Sequence, residues 1–295
     1  MELRHLIYFE AVARHEHVSR AALELAIAQP AITKQLKDLE RELGGGPLFQ
    51  RVGRRIRLTP AGHALLNHTR MILAQVTAAR DEVREYSGNS GGRVVIGAPP
   101  SVGERLLPEV LRQFHREAQT VELHVVEGDT NRLLQCLDDL TIDMAVVTMP
   151  LVQRGLQVSP LFEEELVVAL SAEHPLAAQA EIRAAELVDE RFLFYAAGYV
   201  REATLHACRQ AGFTPHTLVS SGSLEMVLRL AAADLGIAVV PRLAMDARAG
   251  LVMRPLREPT IRRTMAVVSR EGRAFTPAAA RMHDHLVATL SRHRP

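Results

Sequence analysis

Residues 17–62 read HVSRAALELAIAQPAITKQLKDLERELGGGPLFQRVGRRIRLTPAG, and the order of patterns in this stretch decides the fold of the N-terminal region. A short helical pattern is followed by a turn, a longer helical pattern and an arginine-rich hairpin. In the longer helix Ile32, Leu36, Leu39 and Leu43 fall on one stripe, which must be buried against the helices before it. The opposite stripe carries Pro30, Thr33, Lys34, Lys37 and Arg41, with Gln29 at the N-terminal tip. Three cations and a hydroxyl on a helix pinned by its other face suit a major groove lined with phosphates. The tip of such a helix is where base edges are touched. Taken alone, a solvated helix face would account for the same pattern.

The neighbouring hairpin changes the balance. Around the turn at Val52 and Gly53, Arg51, Arg54, Arg55 and Arg57 fall within seven residues that hold no acid. Such a wing can lay guanidinium groups along a phosphate backbone or into a minor groove. The candidate DNA contacts are therefore Gln29, Pro30, Thr33, Lys34 and Lys37 from the helix and Arg51, Arg54 and Arg55 from the wing. Residues 1–58 hold 10 Lys+Arg against 7 Asp+Glu, a net +3, which leaves −2 for the remainder of a chain whose net charge is +1. The positive charge is placed at one end. Only Lys34 and Lys37 are lysines among the 35 basic residues, so the preference for Arg is global and carries no functional weight.

Thr59 is placed to cap a helix whose first position is Pro60, where the missing N–H costs nothing. From there Leu58, Gly62, Leu65, Thr69, Ile72, Val76, Ala79, Val83 and Tyr86 recur at alternating steps of four and three. A heptad seam needs a matching surface, and a second copy of the same helix supplies one. About 28 residues give about 42 Å of helix. Two readers joined this way would face a two-fold symmetric DNA site.

These residues resemble the LysR-type transcriptional regulators. The likeness is carried by LRHLIYFEAVA at Leu3–Ala13, SRAALELA at Ser19–Ala26, QPAITKQLKDLERELG at Gln29–Gly44, and PLFQR with RLTPAG after it. It implies a sequence-specific regulator of transcription acting on a dyad-symmetric promoter site in double-stranded DNA. It also implies a homodimer through the linker helix, homotetramers built as pairs of dimers, and RNA polymerase as a further partner. Two positions depart from the family pattern. Ala28 stands where Ser or Thr is usual before the Gln-Pro pair, which removes a cap worth about 1 kcal/mol. Three residues, Gly45, Gly46 and Pro47, separate the Gly from the Leu-Phe where two are common, which would alter the angle of the wing.

Beyond Tyr86, Ser-Gly-Asn-Ser-Gly-Gly at 87–92 reads as a flexible joint. The rest alternates strand-like and helix-like runs, which argues for an α/β architecture with largely parallel sheets. Candidate strands are Val94–Gly97, Val121–Val126, Asp143–Thr148, Leu166–Leu170, Phe192–Tyr195, Gly236–Val240 and Thr264–Ser269, and Glu104–Glu117 reads as one helix. The expected organisation is a winged helix-turn-helix at 1–58, a linker helix at 59–87, a hinge at 88–92 and an effector domain at 93–295. The resemblance implies that this last domain is like a periplasmic binding protein, with one subdomain at 93–163 and 266–295 and the other at 164–265.

In open α/β sheets ligands settle beyond the carboxyl ends of strands, where helix starts present free N–H groups. Such places are Ala98–Ser101, Gly128–Thr130, Thr148-Met149, Ala197–Arg201 and Ser221–Ser223. They nominate Pro100, Ser101, Thr130, Thr148, Tyr199, Arg201, Ser221 and Ser223 as effector contacts, and favour an organic anion. Each Ser or Thr has a plainer reading as a helix cap, and Arg201 as a surface residue.

Other chemistry is sparse. Cys136 reads as a small core residue, while Cys208, beside His206 and Arg209, leaves open a thiol-based redox regulator as an alternative to a small-molecule sensor. The pairs His15/His17 and His283/His285 lack further ligands nearby, so neither a metal nor a cofactor is indicated. No Walker loop, nucleophile elbow or metalloprotease motif is present, and catalysis is not indicated. Two cysteines, the acidic start Met1-Glu2 and the lack of a long apolar run suggest a cytoplasmic protein without a membrane span.

Overall fold

Three short helices, a hairpin and one long helix form the first of two units, each with its own core, in a computed structural model that describes residues 1–52, 55–86, 92–195, 198–245 and 249–293. The helices are α1 (Leu3–His15), α2 (Val18–Glu24) and α3 (Gln29–Glu42), followed by β1 (Phe49–Val52), β2 (Arg55–Leu58) and α4 (Pro60–Tyr86). Phe9, Val12, Ala21, Ile32, Leu36 and Leu39 are buried together, and Leu48 and Leu66 join them. The Phe9 and Phe49 rings lie 5.3 Å apart between centroids, which fastens the hairpin to α1. Leu43, expected on the buried stripe, is 47% exposed because α3 ends at Glu42 and Leu43 has already left helical register as the C-cap. Thr59 caps α4 as expected, accepting from the Gly62 amide at 3.1 Å while its hydroxyl donates to the Pro47 carbonyl at 2.8 Å.

The second unit is built on one long sheet. Its strands are β3 (Arg93–Ala98), β4 (Glu122–Glu127), β5 (Met144–Met149), β6 (Leu156–Ser171), β7 (Ile182–Arg183), β8 (Arg191–Tyr195), β9 (His216–Ser221), β10 (Ala238–Pro241), β11 (Leu251–Arg257) and β12 (Arg262–Arg270). Its helices are α5 (Pro100–Arg105), α6 (Leu107–Glu117), α7 (Thr130–Asp138), α8 (Tyr199–Gln210), α9 (Leu224–Ala232) and α10 (Pro277–Leu290). The strand order is β4-β3-β5-β12-β6-β11-β7, with β10 also on β6 and a separate β8-β9 pair. The fold is that of a periplasmic binding protein: β6 and β12 are the two crossovers. Leu156–Glu165 of β6 pairs with β12 in one half, and Leu166–Ser171 pairs with β10 and β11 in the other.

The expectation of largely parallel sheets needs correction. β3 is parallel to β4 and β5, and β8 to β9, but both crossovers run antiparallel to their neighbours. A chain that crosses to a second half and returns must run one crossover each way, so antiparallel pairing follows from the topology. The single helix read over Glu104–Glu117 is two, broken at Leu106, because Pro108 cannot supply an amide to the preceding turn and starts α6 instead. Strands β7, β9 and β11 lie outside the sequence assignments, and β6 extends ten residues upstream of its assigned start at Leu166.

Candidate functional site

In the first unit, burial of Ile32, Leu36 and Leu39 turns the opposite face of α3 outward. Gln29, Pro30, Thr33, Lys34, Lys37, Asp38 and Arg41 line an open depression of about 550 Å³ there. The cations differ in availability. Arg41 is committed to Asp38 at 2.9 Å, whereas Lys34 and Lys37 have no hydrogen bond or ion pair among the described residues. Ala28 gives α3 no side-chain cap, and Thr33 returns its hydroxyl to the Gln29 carbonyl at 3.1 Å. Ser19 of α2 donates to Gln29 Oε1 at 2.8 Å and so fixes the amide at the helix tip. Sequence reasoning had no signal for this contact, since the two residues are ten apart and on different helices.

The wing is less uniform than its composition suggests. Phe49 pairs with Leu58, Gln50 with Arg57, Arg51 with Ile56 and Val52 with Arg55. Because paired residues share a face and faces alternate, Arg51 and Arg57 lie on opposite sides of the hairpin. Both are exposed. Arg55 is placed on β2 by its pairing, while Gly53 and Arg54 lie outside the described residues.

The heptad seam of α4 divides in two. Leu58 and Leu65 pack on the reader's own core, and Gly62 sits against the Leu48 carbonyl, so these positions are not free to face a second helix. Farther along, Ile72 and Val83 are 38% and 65% exposed. Of the hinge at 88–92, only Gly92 is described.

In the second unit Ser101, Thr148 and Tyr199 touch the crossover β12, and most of the nominated effector residues are engaged by the protein itself. Pro100 starts α5 behind Pro99, with no side-chain cap. Ser101, only 3% exposed, accepts from Arg263 Nη2 at 2.8 Å. Thr130 Oγ1 accepts from the Thr148 amide at 3.2 Å, and the Thr148 hydroxyl faces Met265 Sδ at 3.6 Å. Tyr199 at the start of α8 donates to the Arg262 carbonyl at 2.6 Å; burial pushes its phenol pKa up, and nearby Arg263 works the other way. Arg201 lies over the Phe194 ring at 4.5 Å, with Nη1 3.5 Å from Ser220 Oγ. Ser221 accepts from the Ser223 amide, and Ser223 caps α9 by accepting from Met226 at 3.2 Å. Ser223 thus takes the plain capping role, Ser221 at the end of β9 holds the turn before it, and Ala197 lies outside the described residues. Tyr199 spends its O–H on an internal carbonyl, whereas Ser101, Thr130, Ser221 and Ser223 act as acceptors of internal N–H groups.

What sequence reasoning missed is a buried ion pair beneath them. Arg263 on β12 and Glu164 on β6 face each other in register, with Arg263 Nη2 2.6 Å and Nε 2.9 Å from Glu164 Oε1. Burial first, and then Asp129, Glu127 and Glu104 from the other half, hold the Tyr195 phenol above the usual range. Cys208 is 2% exposed in the core around Phe192 and Phe194, where burial pushes its thiol up to about 11. Among the described residues no three His, Cys, Asp or Glu gather to hold a metal ion, and no helix is long and apolar enough to cross a membrane.

Two family models match the chain: "Bacterial regulatory helix-turn-helix protein, lysR family" over residues 3–63 and "LysR substrate binding domain" over residues 87–291. The chain is 32% identical to the transcriptional dual regulator GltC of Bacillus subtilis, covering 99% of this chain and 98% of that protein. It is 30% identical to the DNA-binding transcriptional dual regulator OxyR of Escherichia coli, covering 99% and 97%. Among solved structures, a full-length OxyR variant from Pseudomonas aeruginosa superposes with a TM-score of 0.75 at 29% identity, covering 100% of this chain and 99% of the other.

Proposed function

The chain belongs to the LysR family of transcriptional regulators, and on that footing we propose that it acts as a dimer whose paired readers bind a dyad-symmetric promoter site under control of a small molecule. The observation that carries the DNA-binding surface is the outward face of α3, where Lys34 and Lys37 stand unpaired beside a Gln29 oriented by Ser19. Gln29, Pro30, Thr33, Lys34 and Lys37 enter the major groove, and Arg51 and the wing arginines follow the backbone. The α4 seam at the exposed Ile72 and Val83 pairs with its copy, and pairs of dimers make the tetramer. The domain limits are those read above: reader 1–58, linker 59–87, hinge 88–92, and an effector domain whose halves are 93–163 with 266–295, and 164–265.

The effector lies between the two halves of the second unit, near Ser101, Thr130, Thr148 and Tyr199. It regulates because it binds one arrangement of those halves better than the other. The difference is passed to the spacing of the readers. Footprinting on the DNA beside the protein's own gene tests the whole reading. Two half-sites should be protected on one side of the duplex, and log affinity should fall linearly with log salt at a slope of about −4 or steeper, as expected for several phosphate contacts per reader. A monomer at micromolar concentration, or an affinity indifferent to salt, would sink it.

The redox alternative has little physical support. Burial pushes the Cys208 thiol up to about 11, which keeps it protonated at neutral pH, and only 2% of the residue is exposed to an oxidant. Cys208→Ser is therefore expected to leave DNA binding after peroxide treatment the same as in the wild type. A lost oxidant response in that variant would reinstate the redox reading.

A further inference from the structure

We propose that Arg263 is a carboxylate seat, that Glu164 is the chain's own carboxylate occupying it, and that the effector is a carboxylic acid that takes Glu164's place. This rests on the reading of the second unit as an effector domain and goes beyond it by naming the ligand class and the group displaced. The Glu164 and Arg263 side chains are 0% and 3% exposed. Glu164 Oε1 takes two guanidinium N–H groups, and Oε2 accepts from the Leu243 amide at 2.8 Å, in the turn Arg242–Ala244 that follows β10. A guanidinium with a main-chain amide is the donor set that would hold any incoming carboxylate.

The position of the seat makes it a control point. Arg263 and Glu164 sit on the two crossovers, β12 and β6, where these strands pair with each other. Ser101, from the first half, is held by Arg263, while Leu243, from the second, is held by Glu164. Tyr199, also of the second half, grips the adjacent Arg262 carbonyl. A ligand carboxylate in Glu164's place inherits the two guanidinium N–H groups and the Leu243 amide, while Ser101 keeps its own bond to Arg263. Exchange at one guanidinium therefore unties the Leu243 turn of the second half from the crossover β6.

Charge decides the ligand class. A buried ion pair adds little stability over apolar residues of the same volume, so burial of this one calls for another reason. Removing one partner, by contrast, leaves a charge stranded in a poorly solvated place. A neutral ligand could not replace Glu164 without stranding Arg263. A carboxylic acid that leaves its proton on the displaced Glu164 keeps both buried groups compensated, and the guanidinium plane accepts the resulting carboxylate along the same two N–H vectors.

The test uses the full-length Glu164→Gln variant with acetate and formate as probes. Glutamine keeps the shape and an acceptor for Leu243 but removes the charge. The variant should melt below wild type in chloride, and acetate at tenfold its Kd should raise its Tm by about 3–5 °C, with saturation, at constant ionic strength. Wild type and the double variant Glu164→Gln/Arg263→Met should move by less than about 1 °C. No acetate effect on Glu164→Gln, or an equal effect on the double variant, overturns the proposal. Should Glu164→Gln be recovered unfolded, its refolding yield in acetate against chloride reads the same seat, and equal yields overturn it. The footprint on DNA does not depend on this result, so failure here leaves the regulator reading standing.

Discussion

Replacing Lys34 and Lys37 together by Ala should weaken promoter binding about a thousandfold at about 0.15 M salt while leaving the fold intact. By counterion release each phosphate contact contributes a salt slope of about 0.9, equivalent to about 1 kcal/mol at that salt. Two lysines on each of two readers make four contacts, hence about 4 kcal/mol and a slope shallower by about 3.6. Both side chains are exposed and unpaired among the described residues, so no internal partner is stranded by their loss. Alanine is at least as good a helix former as lysine, and the melting of the reader should not fall. Binding isotherms at several salt concentrations distinguish the outcomes. An affinity within threefold of wild type, with the slope unchanged, would remove this face of α3 from the DNA interface.

Arg41 makes a useful contrast on the same face. Its guanidinium already neutralises Asp38 at 2.9 Å, in a pair exposed to solvent and worth little to stability. Composition alone counted three equivalent cations; pairing leaves two.

The reader was legible because one helix periodicity sorted Ile32, Leu36 and Leu39 inward and the cations outward, and because Thr59-Pro60 carries its start signal locally. The wing was half legible. Arginine density is visible in a linear reading, but which face each one takes depends on pairing register, and this sets Arg51 against Arg57. In the second unit the apolar run Leu166–Leu170 announced a strand, yet its upstream continuation LQVSPLFEEE did not. A charged run reads as surface, and only pairing with β12, about a hundred residues later, makes it a strand of the sheet. Glu164 and Arg263 were invisible for that reason. The hydroxyls at the helix starts were found, but their partners were not: Ser101 is answered by Arg263, Tyr199 by the Arg262 carbonyl and Thr130 by the Thr148 amide. Long-range partners decide whether a hydroxyl is free for a ligand, and no local spacing encodes them.

Gly62→Ala is where local propensity and tertiary packing give opposite signs, and packing should win. Alanine is favoured over glycine in a helix interior by about 1 kcal/mol, so a reading of α4 as a free heptad helix expects stabilisation. A Cβ at Gly62, however, would stand 2.2 Å from the Leu48 carbonyl oxygen and 2.9 Å from Leu58 Cδ2. The side chain of Leu58 could turn aside, but the carbonyl is held. It accepts from the Thr59 amide at 3.0 Å, and the Leu48 amide is itself tied to Glu40 of α3 at 2.8 Å. Relief therefore requires α4 to lift off the strand entry, which disturbs the Thr59 cap and the burial of Leu66. Overpacking against fixed backbone costs about 3 kcal/mol, leaving a net loss of about 2 kcal/mol after the propensity gain. In the proposed dimer through α4 the same displacement should also weaken DNA binding, unlike the lysine variants, which spare stability. Denaturant titration of the full-length variant beside its binding isotherm checks both, and a Gly62→Ala protein as stable as wild type would mean that α4 does not pack on Leu48 in solution.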